Sequence, residues 1–166
     1  ILNWWKEKCL ERCSATYEPL YGTWGDQKYL DAIPHLFSNI KINEDPGVNS
    51  APWNLVMKNR HSVLTNGDKV TIDGQDLIVY HFGSLLIINE DSYDLWKLEQ
   101  LAFEPSIISN IYEPYIYQLK QTIKMVKKQV NSNSLSPFFS TVPTDYKAKN
   151  PLQTTRNNKK RLHHHE

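Results

Sequence analysis

Three short runs combine residue types that can do chemistry on a polar ligand. The first is Trp24-Gly25-Asp26-Gln27-Lys28-Tyr29-Leu30-Asp31. Glycine lets a backbone approach a ligand closely, and Asp26 and Gln27 in the opening turn of a helix supply an acceptor and an amide. Such a pair suits the vicinal hydroxyls of a sugar, and a helix N-terminus favours a phosphate. Asp26 also reads simply as an N-cap. The second run is Ser50-Ala51-Pro52-Trp53-Asn54. A Trp held in a loop by proline can stack on a sugar face or a base, and Asn54 can hydrogen-bond either; a buried loop anchor is the plainer reading. The third candidate is His81, at the end of an apolar segment and just before Gly83. Ligands of open α/β sheets collect at the carboxyl ends of strands. A neutral imidazole there can bind a divalent metal, and Gly83 gives room for a phosphate. A structural histidine is the plainer reading.

The elements that must position these residues follow from the pattern. Leu2, Trp5, Cys9, Leu10 and Cys13 recur at helical spacing, so residues 1 to about 17 read as a helix ended by Glu18-Pro19 and Gly22. Cys9 and Cys13 then share a face as two buried reduced thiols. A short helix is expected over Gln27–Leu36, with Tyr29, Leu30 and Ile33 inward and Pro34 closing it. Residues 39–43 alternate as a strand, and Asp45-Pro46-Gly47 carries turn chemistry. Strands follow at 62–64 and 69–72, with Asn66-Gly67-Asp68 and Asp73-Gly74 as turns. Leu77–Tyr80 is continuously apolar, the mark of a strand covered on both faces. Leu85–Ile88 is another strand, Asp94–Phe103 a helix, and residues 107–130 a long helix interrupted at Pro114. Its stripe is Ile111, Tyr115, Leu119, Ile123, Val126 and Val130; Lys120, Lys124, Lys127 and Lys128 form a solvated basic face. From Asn131 the composition is polar, which predicts an extended or disordered tail unless Phe138-Phe139 dock. The closing Leu162-His163-His164-His165-Glu166 reads as a vector-derived tag.

These elements make an α/β chain, and its 166 residues are a prior for one domain. With 19 basic and 18 acidic residues, the basic excess typical of nucleic-acid binders is absent, so no nucleic-acid partner is expected. No apolar run reaches the length of a membrane span. No secretory leader is visible, and the few cysteines suit the cytoplasm, free or peripheral to a membrane. The start at Ile1, without Met and inside an apparent helix, suggests a piece of something longer. Dinucleotide-binding glycines, a P-loop, a nucleophile elbow, a His-Glu-x-x-His zinc motif and an Asp-x-Asp are all absent.

Taken in order, Leu2-Asn3-Trp4-Trp5-Lys6-Glu7-Lys8-Cys9, Gly25-Asp26-Gln27-Lys28-Tyr29-Leu30-Asp31, Ala51-Pro52-Trp53-Asn54, Asp73-Gly74, Tyr80-His81-Phe82 and Ile111-Tyr112-Glu113-Pro114-Tyr115 resemble the C-terminal half of bacterial glycosyltransferase-like proteins related to the nucleotide-diphospho-sugar transferases. The resemblance covers roughly residues 1 to 120. It implies part of a glycosyltransferase A-type α/β sandwich, a mixed sheet flanked by helices, over residues 1–130, with 131–166 a flexible tail. It implies transfer of a sugar from a nucleotide-sugar donor to an unidentified sugar or glycan acceptor, assisted by a divalent metal, usually Mn²⁺. By position, His81 would be the metal ligand and Asp26 and Gln27 the catalytic pair at the sugar; Trp24, Gly25, Lys28, Trp53, Asn54 and Gly83 would bind substrate. The sequence departs from that pattern twice. His81-Phe82-Gly83-Ser84 stands where the family usually reads His-Phe-His-Gly, and no Asp-x-Asp is present. A chain carrying only this half is expected to be inactive alone, and its unpaired sheet edge favours homo-oligomers. The alternative from another class is a non-catalytic carbohydrate- or partner-binding module.

Overall fold

The computed structural model describes residues 1–14, 16, 25–56, 61–129 and 139–154. The chain forms two units, Ile1–Glu44 and Asp45–Glu166. Trp24, the proposed helix end at Glu18-Pro19 and Gly22, Val130, Phe138 and the terminal His run lie outside the described residues.

In the first unit, helix α1 spans Leu2–Glu11 and stops sooner than its apolar spacing suggests. Arg12 is already extended, so Cys13 leaves the helical face shared with Cys9 and is exposed. Leu2 and Leu10 also face outward. The rings instead carry the packing: Trp4 meets Tyr29 and Phe37 edge-on at 6.4 and 5.7 Å between centroids. A 3-10 segment, Gln27–Ala32, runs directly into α2, Ile33–Leu36. Pro34 sits in the first turn of α2 and starts it rather than closing it, because the missing N–H costs nothing there. Leu30, read as inward, is exposed. Residues 39–43 form no strand; Asn39 adopts a positive φ of 62° and turns the chain at that point.

The second unit opens with the predicted turn. Gly47 donates its N–H to Asp45 Oδ1 at 2.8 Å and Val48 to Asp45 O at 3.1 Å. Helix α3 is Pro52–Leu55. Strands β1 (Val63–Asn66), β2 (Lys69–Ile72) and β3 (Gln75–Asp76) make one antiparallel sheet. Its register is set by two two-residue turns. Gly67 has φ 61° in the first; Asp73 and Gly74, at 50° and 83°, give the second the geometry of a type I′ turn. The strand expected over Leu77–Tyr80 is largely missing. Only Tyr80 bridges, in parallel, to Ser50, and Ile78 and Val79 are 67% and 49% exposed. That bridge is the single parallel pairing among the described residues, where the sequence implied a mixed sheet.

Strands β4 (Leu86–Asn89), β5 (Ser92–Asp94) and β6 (Pro151–Gln153) form a second antiparallel sheet in the order β4-β5-β6. The helix expected over Asp94–Phe103 is absent: Asp94 ends β5, and residues 95–104 run irregularly around Asn150. The polar segment 139–154 is no loose tail. β6 pairs with β5 from Ser92↔Gln153 to Asp94↔Pro151. Composition misleads here because many of the stabilising contacts are hydrogen bonds from polar groups, with Leu152 alone among the described residues of this segment reaching the core cluster.

Helix α4 (Pro105–Ile107), a π turn (Ile108–Tyr112) and α5 (Glu113–Gln129) run on continuously. The widened turn sits just before Pro114, which has no N–H to give, so the interruption predicted there is a π turn rather than a break. Ile111, Tyr112 and Ile116 join Leu55, Val63, Ile72, Tyr93, Leu95 and Ile107 in the core. Tyr115, placed in the apolar stripe, is 39% exposed. The basic face is partly engaged: Lys120 pairs with Asp91 at 2.6 Å and Lys127 with Glu90. The described part of the chain is thus a mixed α/β protein with two small antiparallel sheets. Among the described residues no helix is long and apolar enough to cross a membrane.

Candidate functional site

The runs around Trp53 and His81 meet in the second unit. Pro52 starts α3, and Asn54 Oδ1 accepts the Ala51 N–H at 2.6 Å, which fixes the turn carrying Trp53. Asn54 Nδ2 reaches Asn49 O at 3.5 Å, so this side chain is occupied within its own turn. The Ser50 N–H donates to Val79 O at 2.9 Å, and the His81 N–H to Ser50 O at 2.7 Å. These two bonds lay residues 78–81 beside residues 47–50 and bring His81 to Trp53. The rings meet edge-on, with centroids 5.0 Å apart and planes at 89°.

Gly83 completes the contact. A Cβ there would lie 2.7 Å from Trp53 Cζ3, so the space beside this glycine, read as room for a phosphate, holds the indole. Trp53 is half-buried and His81 exposed. No side-chain hydrogen bond joins His81 to another described residue. His81 follows a single bridge residue instead of ending a covered strand.

Behind Trp53 lies Trp96, 5% exposed, with ring centroids 6.1 Å apart and planes at 52°. Sequence reasoning missed it by reading residues 94–103 as a helix. Its indole N–H is buried without an acceptor among the described residues. Its backbone is held at both ends: the N–H donates to Asp94 Oδ1 at 3.3 Å, and the carbonyl accepts from Asn150 Nδ2 at 2.6 Å.

Asp94 is fully buried. Its carboxylate also takes hydrogen bonds from the Tyr146 hydroxyl at 2.6 Å and from the N–H groups of Lys149 and Asn150, each at 2.9 Å. The hydrogen bond to this carboxylate is the main reason the Tyr146 hydroxyl is pushed up to about 12. From the sequence, Phe138-Phe139 stood out as what could dock this segment, and Tyr146 was overlooked.

The Gly25–Lys28 run belongs to the first unit. Gly25, with φ 54°, donates its N–H to Ser14 O at 3.0 Å. Asp26 stands at the N-cap position, but its side chain makes no capping bond; its carbonyl accepts the Trp5 indole N–H at 3.0 Å. The N-cap role expected of its carboxylate is therefore not what holds the segment. Gln27 is exposed, and Lys28 pairs with Asp31. Partial burial, with Cys13 and Asp26 adding to it, pushes the Cys9 thiol above its ordinary value.

A shallow hollow of about 300 Å³ lies on the second sheet, lined by Asn89, Ser92, Tyr146 and Gln153 among others. None of the residues singled out from the sequence lines it.

Among the described residues no three His, Cys, Asp or Glu side chains gather where they could hold a metal ion. His81 alone does not make a Mn²⁺ site.

No family model matches the sequence. Two proteins of Bacillus subtilis (strain 168) are similar to it. "Uncharacterized protein YfnF" is 39% identical over 126 residues, which cover 74% of this chain and 40% of that protein. "Uncharacterized protein YfnD" is 30% identical over 123 residues, covering 74% of this chain and 38% of that protein. No solved structure matches. The chain spans about two fifths of the length of the curated relatives it matches.

Proposed function

We propose that this chain is the C-terminal half of a glycosyltransferase A-type domain that moves a sugar from a nucleotide-sugar donor to a glycan acceptor. The observation that carries the reading is the meeting of Trp53 with His81. Two of the three runs singled out for ligand chemistry, 28 positions apart, present an aromatic ring beside an imidazole that no other described side chain engages. An indole offers a flat apolar surface to the C–H face of a sugar, and the imidazole donates to or accepts from a hydroxyl or phosphate oxygen. Asp26 and Gln27 are assigned to the reaction centre through the resemblance. There a carboxylate and an amide would stabilise the positive charge that develops at the anomeric carbon.

A divalent metal would neutralise the diphosphate leaving group in such a reaction. The described residues do not fit a metal centre by themselves, so what they supply is binding and positioning.

The test is hydrolysis of a panel of nucleotide-sugars with Mn²⁺ by the protein expressed from its complete reading frame. The expected result is turnover of one donor, reduced at least about 100-fold in Asp26→Asn and in His81→Ala, with circular dichroism unchanged. Full activity in both variants removes the assigned roles. Binding of a glycan without turnover of any donor favours a non-catalytic carbohydrate module.

A further inference from the structure

We propose that Asn150 is a positioning residue that sets the Trp53–His81 pair through Trp96. Its consequence for ligand binding rests on the transferase reading; the geometric claim does not.

The argument starts with what fixes the Trp96 ring. A buried indole is normally anchored through its own N–H. Here that N–H has no acceptor among the described residues. Among the described residues, packing and its backbone place the ring, and Asn150 supplies much of the backbone restraint. Asn150 Nδ2 donates to Trp96 O at 2.6 Å and to Glu99 O at 2.8 Å, and Oδ1 accepts the Leu101 N–H at 2.8 Å. Its main chain closes the other side: its carbonyl accepts the Leu95 N–H at 2.9 Å, and its N–H donates to Asp94 Oδ1 at 2.9 Å. The loop from Leu95 to Leu101 is thus wound around one amide side chain.

An amide suits this position because it has two donors and an acceptor on one rigid plane. Aspartate would keep the acceptor and lose both donors. Asn150 is 7% exposed, so each lost bond would leave a carbonyl poorly solvated. Trp96 then packs on Trp53, Trp53 on His81, and Gly83 leaves no slack on the neighbouring side of the indole. A shift of the Trp96 backbone passes to the imidazole by contact at each step.

The test reads the His81 ring protons by NMR in the protein expressed from its complete reading frame, assigned by their disappearance in His81→Gln. The Trp53 ring current displaces these protons, and Trp53→Leu gives the undisplaced position. In Asn150→Asp the signal is expected to lie nearer the Trp53→Leu position than the wild type. In Leu152→Ala, which removes core packing from the same segment and none of the Asn150 hydrogen bonds, it is expected to stay at the wild-type position. A His81 signal unmoved in Asn150→Asp, or moved equally in Leu152→Ala, overturns the proposal.

Trp96→Leu is the second arm, because it keeps every hydrogen bond of Asn150. An unmoved signal there overturns the proposal even if the Asn150 variants fail to fold; a moved one supports it. Donor affinity in the same variants separates the two ideas. A moved His81 signal in a protein that binds no nucleotide-sugar leaves the positioning role standing and fails the transferase reading.

Discussion

Asn150 donates its backbone N–H to the fully buried Asp94 carboxylate at 2.9 Å, tying together residues 56 apart in the chain. Three further donors converge on the same two oxygens: the Tyr146 hydroxyl and the N–H groups of Trp96 and Lys149. A carboxylate can leave water at tolerable cost when its lone pairs are satisfied in this way. Asp94→Ala would leave four donors without an acceptor. The expected loss is about 3 kcal/mol or more in urea unfolding, with Asp94→Asn, which keeps one oxygen, losing less. An alanine variant within about 1 kcal/mol of wild type would show that the cluster does not hold segment 139–154 in place.

Two glycines should respond differently to alanine. At Gly47 a Cβ would fall 1.9 Å from the Asp76 backbone carbonyl oxygen, and neither chain segment can yield without breaking the turn. At Gly83 the obstacle, at 2.7 Å, is the edge of the Trp53 ring, a side chain rather than backbone. Gly83→Ala is expected to cost roughly 1–3 kcal/mol and to shift the tryptophan emission; Gly47→Ala is expected to cost more and leave that emission unchanged in the folded protein. Chemical denaturation followed by fluorescence checks the order of the two.

The β2–β3 turn carries a pH-dependent clasp. His61 Nδ1 lies 2.6 Å from Asp73 Oδ2, and the Ser62 N–H donates to Asp73 Oδ1 at 2.8 Å. The bond to His61, then that to Ser62, holds the Asp73 carboxyl below its ordinary value of 3.8. A carboxyl depressed in the folded state binds its proton more readily when unfolded. Its stabilising contribution is therefore fully present above pH 3.8 and is lost as the pH falls below that value toward the lowered folded one. Asp73→Asn is the suitable variant, because asparagine tolerates the positive φ of 50° at this position. The difference in urea midpoint between wild type and variant is expected to persist at neutral pH and to shrink as the pH drops through that range. A difference that grows on acidification would contradict the assignment.

Local turn chemistry was the most legible part of the sequence. Asp45-Pro46-Gly47 and Asp73-Gly74 fold as their residue types require, because a positive φ or an Asx turn is decided within a few residues. The long C-terminal helix and its interruption at Pro114 were legible for the same reason. Some failures were local, as at Asn39 and Pro34, while others lay in segments whose place is set by tertiary contacts. Leu77–Tyr80 reads as a covered strand, yet Ile78 faces solvent. Asp94–Phe103 shows helical spacing, but its backbone is claimed by Asn150, about fifty residues away. Trp53 and His81 were legible as ligand-type residues. Trp96 was not, because its place depends on hydrogen bonds formed by a segment whose composition looks unstructured.

Tryptophan fluorescence titration with a panel of nucleotide-sugars, on the protein expressed from its complete reading frame, tests the transferase reading most directly. The expected result is saturable quenching by one donor, weakened at least about 10-fold in Trp53→Leu and in His81→Ala, each loss being worth about 1.4 kcal/mol or more of binding. A donor that binds wild type and both variants with equal affinity, or no donor bound by the wild type at all, would contradict it.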